Sequence, residues 1–297
     1  MKIVSLIVTY QPDMSILCRT LDSLKNQVSG ICIIDNGGLD TEHNSLSAFP
    51  TDLIIKQLEN NEGIAKATNI GLNLLSEKDV DYVLLSDQDT VYPPDYIKKF
   101  TDYINLNNSA FVCAFCPVFY DIHSSEYKPL YIKNKGVIKK FSAAKITSPT
   151  IVFQAIASGL IIDMKKYSMI GGMNEDLFID YVDFEWCWRV NKSGLSILCL
   201  PQMSITHGLG NGVVVVGNKK ISEHNSLRYY YITRNTFYLS LYSKYLPFLM
   251  KIQLFIKACT YPIGYTIFCR PHFKNARYTL NGMIDGFCKR LGKIKLK

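Results

Sequence analysis

Long uncharged apolar runs are missing from this chain of 297 residues. The most apolar stretch, Leu246 to Cys269, is interrupted by Lys251 and Lys257 and carries Pro262 and Gly264, which are expected to break it. An interfacial helix with snorkelling lysines therefore fits better than a membrane-spanning one, and a basic helical pair packed on the body is the alternative. No secretory signal is expected either, because Ile3-Val4-Ser5-Leu6-Ile7-Val8 is too short and too β-branched and no cleavage site follows Gln11-Pro12-Asp13. Regular cysteine spacing is also lacking among the nine cysteines. Cys18, Cys32, Cys187, Cys199 and Cys288 are expected to be reduced and buried, and Cys113 and Cys116 sit in a strand-like run with no second ligand pair, against a zinc or redox role. Acid is scarce at one end: residues 226–297 hold 13 Lys/Arg and only Asp285, a charge of +12, whereas residues 1–225 hold 20 Lys/Arg and 24 Asp/Glu, a charge of −4. Combined with aromatic and apolar residues, the basic end favours an anionic membrane surface over nucleic acid. Pro/Gly/Ser linkers, repeats and low-complexity segments are absent.

What is present is a globular composition, with 48% hydrophobic and 20% charged residues. Short β-branched runs alternate with amphipathic ones: strands near 3–9, 30–35, 52–57 and 81–86, helices near 14–27 and 63–75. This rhythm predicts an α/β, doubly wound, mostly parallel sheet whose loops after the first, second and fourth strands converge on one edge. Beyond it come a helix near 94–105, a strand near 110–119, an irregular lysine-rich stretch at 128–145, a strand over 157–163 and a helix over 183–192. The segment Asn61 to Gly71 opens its helix with small residues suited to an anion. It has neither Gly-x-Gly-x-x-Gly nor Gly-x-x-x-x-Gly-Lys-Ser/Thr, which disfavours a Rossmann dehydrogenase or a P-loop enzyme.

Ser86-Asp87-Gln88-Asp89-Thr90 follows the apolar run Tyr82 to Leu85, placing two carboxylates at a strand end, where hard oxygens suit a divalent cation shared with phosphates. A solvated turn is the bland reading. Asp180, Asp183 and Glu185 form a second acidic cluster; on one helix Asp180 and Asp183 share a face, and Glu185 sits four before Arg189 at ion-pair spacing. Asp183 reads as a catalytic base or a helix N-cap. His207 ends a strand before the glycine-rich run Gly208 to Gly212, a place that lets it meet the acidic clusters and contact metal or phosphate, with the glycines as lid hinges; a structural histidine is the bland alternative. Arg228, Tyr231 and Asn235 fall near one helical face with Arg234 off it, and the guanidinium groups suit a diphosphate unless the face is merely solvated.

In order, Ile7-Val8-Thr9-Tyr10, Ile34-Asp35-Asn36, Asn61-x-Gly63-Ile64-Ala65 with Asn69-x-Gly71, Asp87-Gln88-Asp89, Ser158-Gly159, Gly171-Gly172, Phe178 to Arg189, His207 and Arg234-Asn235 resemble a family-2 glycosyltransferase of the GT-A fold, most closely the bacterial rhamnosyltransferase group. The resemblance covers residues 3–240. It implies a GT-A domain over 1–220, with a Rossmann-like nucleotide-sugar half at 1–105 and an acceptor half at 106–220, and a basic helical membrane-associating appendage at 221–297. It implies that Thr9 and Tyr10 line a nucleotide pocket, that Asp35 accepts a hydrogen bond from the base, and that Asp87, Asp89 and His207 hold Mg²⁺ or Mn²⁺. Asp183 matches the general base of an inverting mechanism. Substrate or nucleotide contacts are expected of Asn36, Asn61, Gly63, Asn69, Gln88, Ser158, Gly159, Asp180, Glu185, Trp186, Arg228, Arg234 and Asn235, while Lys66, replacing a smaller residue, either touches phosphate or is solvated. The expected reaction transfers L-rhamnose from dTDP-rhamnose to a polyprenyl-diphosphate-linked saccharide in O-antigen or other surface polysaccharide synthesis, on the cytoplasmic face of the inner membrane and without a nucleic-acid partner. A galactofuranosyl or other hexosyl transferase using a UDP-sugar, and a non-catalytic nucleotide-binding membrane scaffold, are the alternatives.

Overall fold

A computed structural model describes residues 1–42, 46, 52–122, 125–134, 137–207, 213–216 and 219–294. The β-branched and amphipathic runs of the first half form, in chain order, β1 (Ile3–Thr9), α1 (Met14–Leu24), β2 (Gly30–Asp35), β3 (Asp52–Gln57), α2 (Gly63–Ser76), β4 (Tyr82–Ser86), α3 (Tyr96–Leu106) and β5 (Val112–Asp121). Then follow β6 (Glu126–Tyr127), β7 (Leu130–Asn134), β8 (Val137–Phe141), β9 (Thr150–Val152), β10 (Ile161–Asp163), α4 (Met164–Ile170), α5 (Val182–Lys192) and β11 (Ser196–His207). The chain ends with the hairpin β12 (Val213–Val216) and β13 (Lys219–Ser222) and the helices α6 (Ser226–Tyr242), α7 (Phe248–Phe268) and α8 (His272–Phe287).

The main sheet runs in the order β3-β2-β1-β4-β10-β5-β11-β9, with β6 paired to β5. Strands β1 to β4, β5 and β11 point one way; β10, β9 and β6 oppose them. The strand period of two sorts β1 between two cores. Val4 and Leu6 pack with Leu72 and Leu75 of α2 and Trp186 of α5, while Ile3 and Ile7 pack with Leu17 and Leu21 of α1 and Phe100 of α3. Asp13 caps α1, its carboxylate accepting the Ser15 and Ile16 N–H groups.

Several sequence expectations change. The lysine-rich stretch is a regular hairpin, β7 paired antiparallel with β8. The strand expected from residue 157 starts only at Ile161, because Gly159 takes φ +78° and its N–H donates to Leu85 O. A Cβ at Gly159 would stand 2.5 Å from Ile205 Cδ1 and 2.7 Å from the Tyr96 hydroxyl. Pro262 does not break α7, which continues through it as one 21-residue helix. Of the cysteines expected to be buried, Cys288, the residue that ends α8, is exposed and Cys18 of α1 is only partly covered.

The C-terminal helices pack on one another and on the body. Leu239, Leu246 and Leu254 join the core of the α2 side. Helix α8 meets α6 through glycines: a Cβ at Gly282 would lie 2.6 Å from Tyr230 O, and one at Gly286 2.5 Å from Arg234 O. The outer faces stay apolar, with Phe248, Ile263 and Ile267 of α7 and Phe273, Leu280 and Phe287 of α8 exposed. Among the described residues no helix is long and apolar enough to cross a membrane.

Candidate active site

Parallel pairing brings the ends of β1, β2 and β4 level: Thr9 stands beside Asp35, and Ile7 beside Ser86. The buried Thr9 hydroxyl donates to Asp35 Oδ1 at 3.1 Å, and the Asp35 carboxylate also accepts the N–H groups of Gly37 and Leu39. Asp35 is therefore fixed before any ligand arrives. Tyr10 is 46% exposed. Its N–H donates to Gln88 Oε1 at 2.8 Å, and Gln88 O accepts the Thr20 hydroxyl, so the Asp87-Gln88-Asp89 loop is tied to β1 and α1.

Next to this edge, Asn36 Nδ2 donates to Asn61 Oδ1 at 3.0 Å, Asn36 Oδ1 accepts the Glu62 N–H, and Asn61 Oδ1 accepts the Gly63 N–H. These bonds organise the start of α2, where Gly63 has φ +83° and leaves room for the Phe178 ring. Lys66 forms an ion pair with Glu62 at 2.8 Å on the surface. Asn69, expected at the substrate, is instead a clamp: its amide bonds Met173 N and O and Glu175 Oε1.

Asp183 lies in the first turn of α5, two residues past the cap position held by Tyr181, and its Oδ1 accepts the Phe184 N–H at 2.8 Å. Its Oδ2 accepts the Ala157 N–H at 3.1 Å. The adjacent Ser158 hydroxyl bonds the Thr90 hydroxyl at 3.0 Å. The loop 157–159 thus holds Asp183 with one residue and the end of the Asp87-Asp89 loop with the next. Burial pushes the Asp183 carboxyl up to about 7, two backbone N–H groups oppose this, and the charges of Asp180 and Asp87 add to it. The charge of Asp87 in the first acidic cluster thus reaches Asp183 in the second.

Asp180 is not on the helix. Phe178, Asp180 and Tyr181 have φ of 63°, 64° and 65°, a run of left-handed backbone that non-glycine residues rarely adopt. Helix α6 holds it. Asn235 Nδ2 donates to Leu177 O, Ile179 O and Asp180 O, and Tyr231 stacks on Phe178 with centroids 4.8 Å apart. Arg234, fully buried, donates to Asp176 O, Leu177 O and Gly292 O. Arg234 and Asn235 are therefore spent on backbone carbonyls rather than on a phosphate. Arg228 pairs with Asp180 at 3.1 Å yet stays 42% exposed. Burial works against its charge, and Asp180, Asp87 and Asp183 more than offset this. Glu185 and Trp186 also turn inward: Glu185 binds Arg189 as its spacing foretold, and Trp186 Nε1 donates to Gly171 O. The His207 side chain and the run 208–212 lie outside the described residues. His224 escaped sequence reasoning; burial and then the Arg228 charge push its imidazole down to about 4, leaving it neutral beside Asp180.

Among the described residues no three His, Cys, Asp or Glu side chains stand close enough to enclose a metal ion. The donor chemistry of Asp87 and Asp89 still suits a hard divalent cation that completes its shell with phosphate oxygens and water.

The profile described as "Glycosyl transferase family 2" matches residues 5–157. The chain is 33% identical over 253 residues to the dTDP-rhamnosyl transferase RfbF of Shigella flexneri, covering 85% of this chain and 84% of that one. Among solved structures it is similar to TarS 1-349 of S. aureus in complex with UDP-GlcNAc, with TM-score 0.60, 15% identity, and coverage of 98% of this chain and 82% of that one. GalNAc-T7 with UDP, GalNAc and Mn²⁺ aligns with TM-score 0.58 and 15% identity over 91% of this chain and 58% of the other. At such identity these structures speak for the fold alone, the GT-A arrangement of one mostly parallel sheet with its polar loops at one edge. Sheet, loop motifs and sequence kinship agree: the chain belongs to glycosyl transferase family 2 and is an enzyme close to the rhamnosyltransferases.

Proposed function

We propose that this glycosyltransferase moves L-rhamnose from dTDP-rhamnose, with inversion, to a hydroxyl of a polyprenyl-diphosphate-linked saccharide in surface polysaccharide synthesis. The observation that carries the reading is Asp183: a carboxyl raised to about 7 by burial, fixed by two backbone N–H groups and within the field of Asp87. A general base works best with a pKa near the operating pH. In its ionised form Asp183 accepts the proton of the acceptor hydroxyl as that oxygen attacks the anomeric carbon; the nucleoside diphosphate departs from the opposite face, and no covalent intermediate is required. Asp35 takes a hydrogen bond from the pyrimidine, and the exposed Tyr10 ring covers it. Arg228, the partly exposed cation beside Asp180, faces the same carboxylates and suits a diphosphate oxygen. Asp87 and Asp89 would hold Mg²⁺ or Mn²⁺, which when bound supplies positive charge against that developing on the leaving diphosphate. The division into a 1–220 catalytic domain and a 221–297 membrane-facing region is part of the same reading, as is a position on the inner face of the inner membrane.

The kinship to RfbF, whose name specifies a dTDP-rhamnosyl donor, supports dTDP-rhamnose over a UDP-sugar. The test offers dTDP-rhamnose, UDP-galactofuranose and UDP-GlcNAc with a short-chain polyprenyl-diphosphate saccharide and reads products by mass spectrometry. A product gain equal to one deoxyhexose is expected; transfer from a UDP-sugar alone would replace the donor, and no transfer from any would favour the scaffold reading. With dTDP-rhamnose, excess chelator should abolish turnover and Mn²⁺ restore it, and Asp89→Ala should lose roughly a hundredfold in kcat.

A further inference from the structure

A cavity of about 490 Å³ lies between the β7-β8 hairpin, the start of α5 and α7. Tyr181 and Phe184, which bracket Asp183 in sequence, line it together with Tyr131 and Trp188; Met250 and Leu254 of α7 form the opposite wall. Its charged lining is entirely basic: Lys140 from β8 and Lys257 from α7, with no acidic residue in the lining. Lys140 Nζ stands 5.9 Å from the centroid of the Tyr131 ring. Burial, and then the charge of Lys140, push the Lys257 ammonium below the usual lysine range. The partly covered Lys257 is held near the exposed Lys140 at a cost that a bound anion relieves. The cavity is also continuous with the outside of α7, since Ile256 lines it and is 55% exposed on the apolar outer face.

The cavity thus joins the chain neighbours of Asp183, two cations and an apolar helix face. We infer that this cavity is the acceptor subsite for a lipid diphosphate, whose phosphates meet Lys140 and Lys257, whose first sugar lies over the aromatic floor toward Asp183, and whose hydrocarbon chain runs along α7. The inference rests on Asp183 being the proton acceptor of the transfer reaction. Lysine suits this task as a mobile point charge that tolerates several phosphate positions. The volume falls within the range of small-ligand sites, large enough for a sugar and a diphosphate and too small for the whole lipid.

The full-length protein would be titrated calorimetrically with geranyl diphosphate and, separately, with inorganic pyrophosphate. Geranyl diphosphate should bind, and pyrophosphate should bind at least roughly tenfold more weakly because it lacks the chain that α7 receives. In the Lys140→Ala/Lys257→Ala double variant the geranyl diphosphate affinity should drop by roughly tenfold or more with the melting temperature unchanged. Lys257→Glu, a single change at this partly covered position, should lose at least as much and guards against a double variant that fails to fold. Equal affinity in wild type and variants, or no binding by wild type, overturns the subsite; equal affinity for pyrophosphate and geranyl diphosphate overturns the lipid assignment. Because the titration contains no nucleotide sugar, its failure leaves the rhamnosyl donor standing, and a wrong donor leaves the titration untouched.

Discussion

At Asp183, burial and two backbone donors pull the carboxyl in opposite directions, and burial prevails. An unfolded aspartate titrates near about 3.9. Between that value and about 7 the native state keeps a proton that the unfolded chain has released, so this residue's contribution to stability declines as pH climbs through that window and is level above it. Asp183→Asn removes the penalty: in metal-free buffer its melting temperature should exceed that of wild type at pH 8, by roughly 1–3 kcal/mol of stability, and match it near pH 4. The same substitution should lower kcat by on the order of 10²–10⁴-fold with the donor KM little changed, as measured by steady-state transfer. Wild-type kcat should rise with pH up to about 7, as the carboxyl ionises; a profile flat from about pH 5.5 to 8 would reject Asp183 as the base. The candidate base was legible from its motif, but its raised affinity for a proton was not. That depends on the burial that folding imposes and, less, on the charges of Asp180 and Asp87 brought near it, which together outweigh the Phe184 and Ala157 N–H groups.

Among the elements, the left-handed run at 178–181 and the helix α6 belong together. Backbone in sparsely populated regions costs on the order of 1–3 kcal/mol per residue and persists only where the surroundings over-determine it. Here Asn235 and Arg234 supply the constraint through five bonds to the carbonyls of residues 176, 177, 179 and 180. The sequence reading begins the helix at 183 and sets Asp180 on the face of Asp183 only if the helix reaches it, because period alone does not reveal an entry with unusual φ. Arg234 read as a phosphate ligand for a similar reason: a guanidinium suits phosphate and carbonyl oxygens alike, and only burial tells them apart. Arg234→Leu should therefore destabilise by roughly 3 kcal/mol or more in denaturant unfolding, leaving backbone carbonyls unsatisfied. Gly282→Ala and Gly286→Ala, which drive a Cβ into the α6 backbone, should each cost about 1–3 kcal/mol and loosen α8 first by hydrogen exchange.

Over the whole molecule, the −4 body and the +12 C-terminal region are joined by packing rather than by a linker. Leu246 and Leu254 belong to the main core, so cutting the chain at residue 246 would open that core and confound any membrane assay. Surface changes avoid this. Phe248→Ser, Ile263→Ser and Phe273→Ser, all on exposed positions, should together release the protein from anionic vesicles in a sedimentation assay while the melting temperature holds. On the proposed membrane-facing role of the +12 region, raised salt should weaken vesicle binding of wild type as well, since attraction between exposed charges is screened.

The sequence by itself determined the strand and helix order of the first half, the convergence of Thr9, Asp35 and Asp87 on one sheet edge, and the kinship, because hydrophobic period and parallel crossover rules are local and handed. Tertiary structure alone decided which polar residues face the site. Asn69, Glu185, Trp186, Arg234 and Asn235 carry the right chemistry for ligands and are bonded within the fold. Lys140 and Lys257, 117 positions apart and unremarked in the sequence as a pair, meet across one cavity. A side chain's chemistry is written in its own residue, but its partners and its solvent are set by segments that only folding brings together.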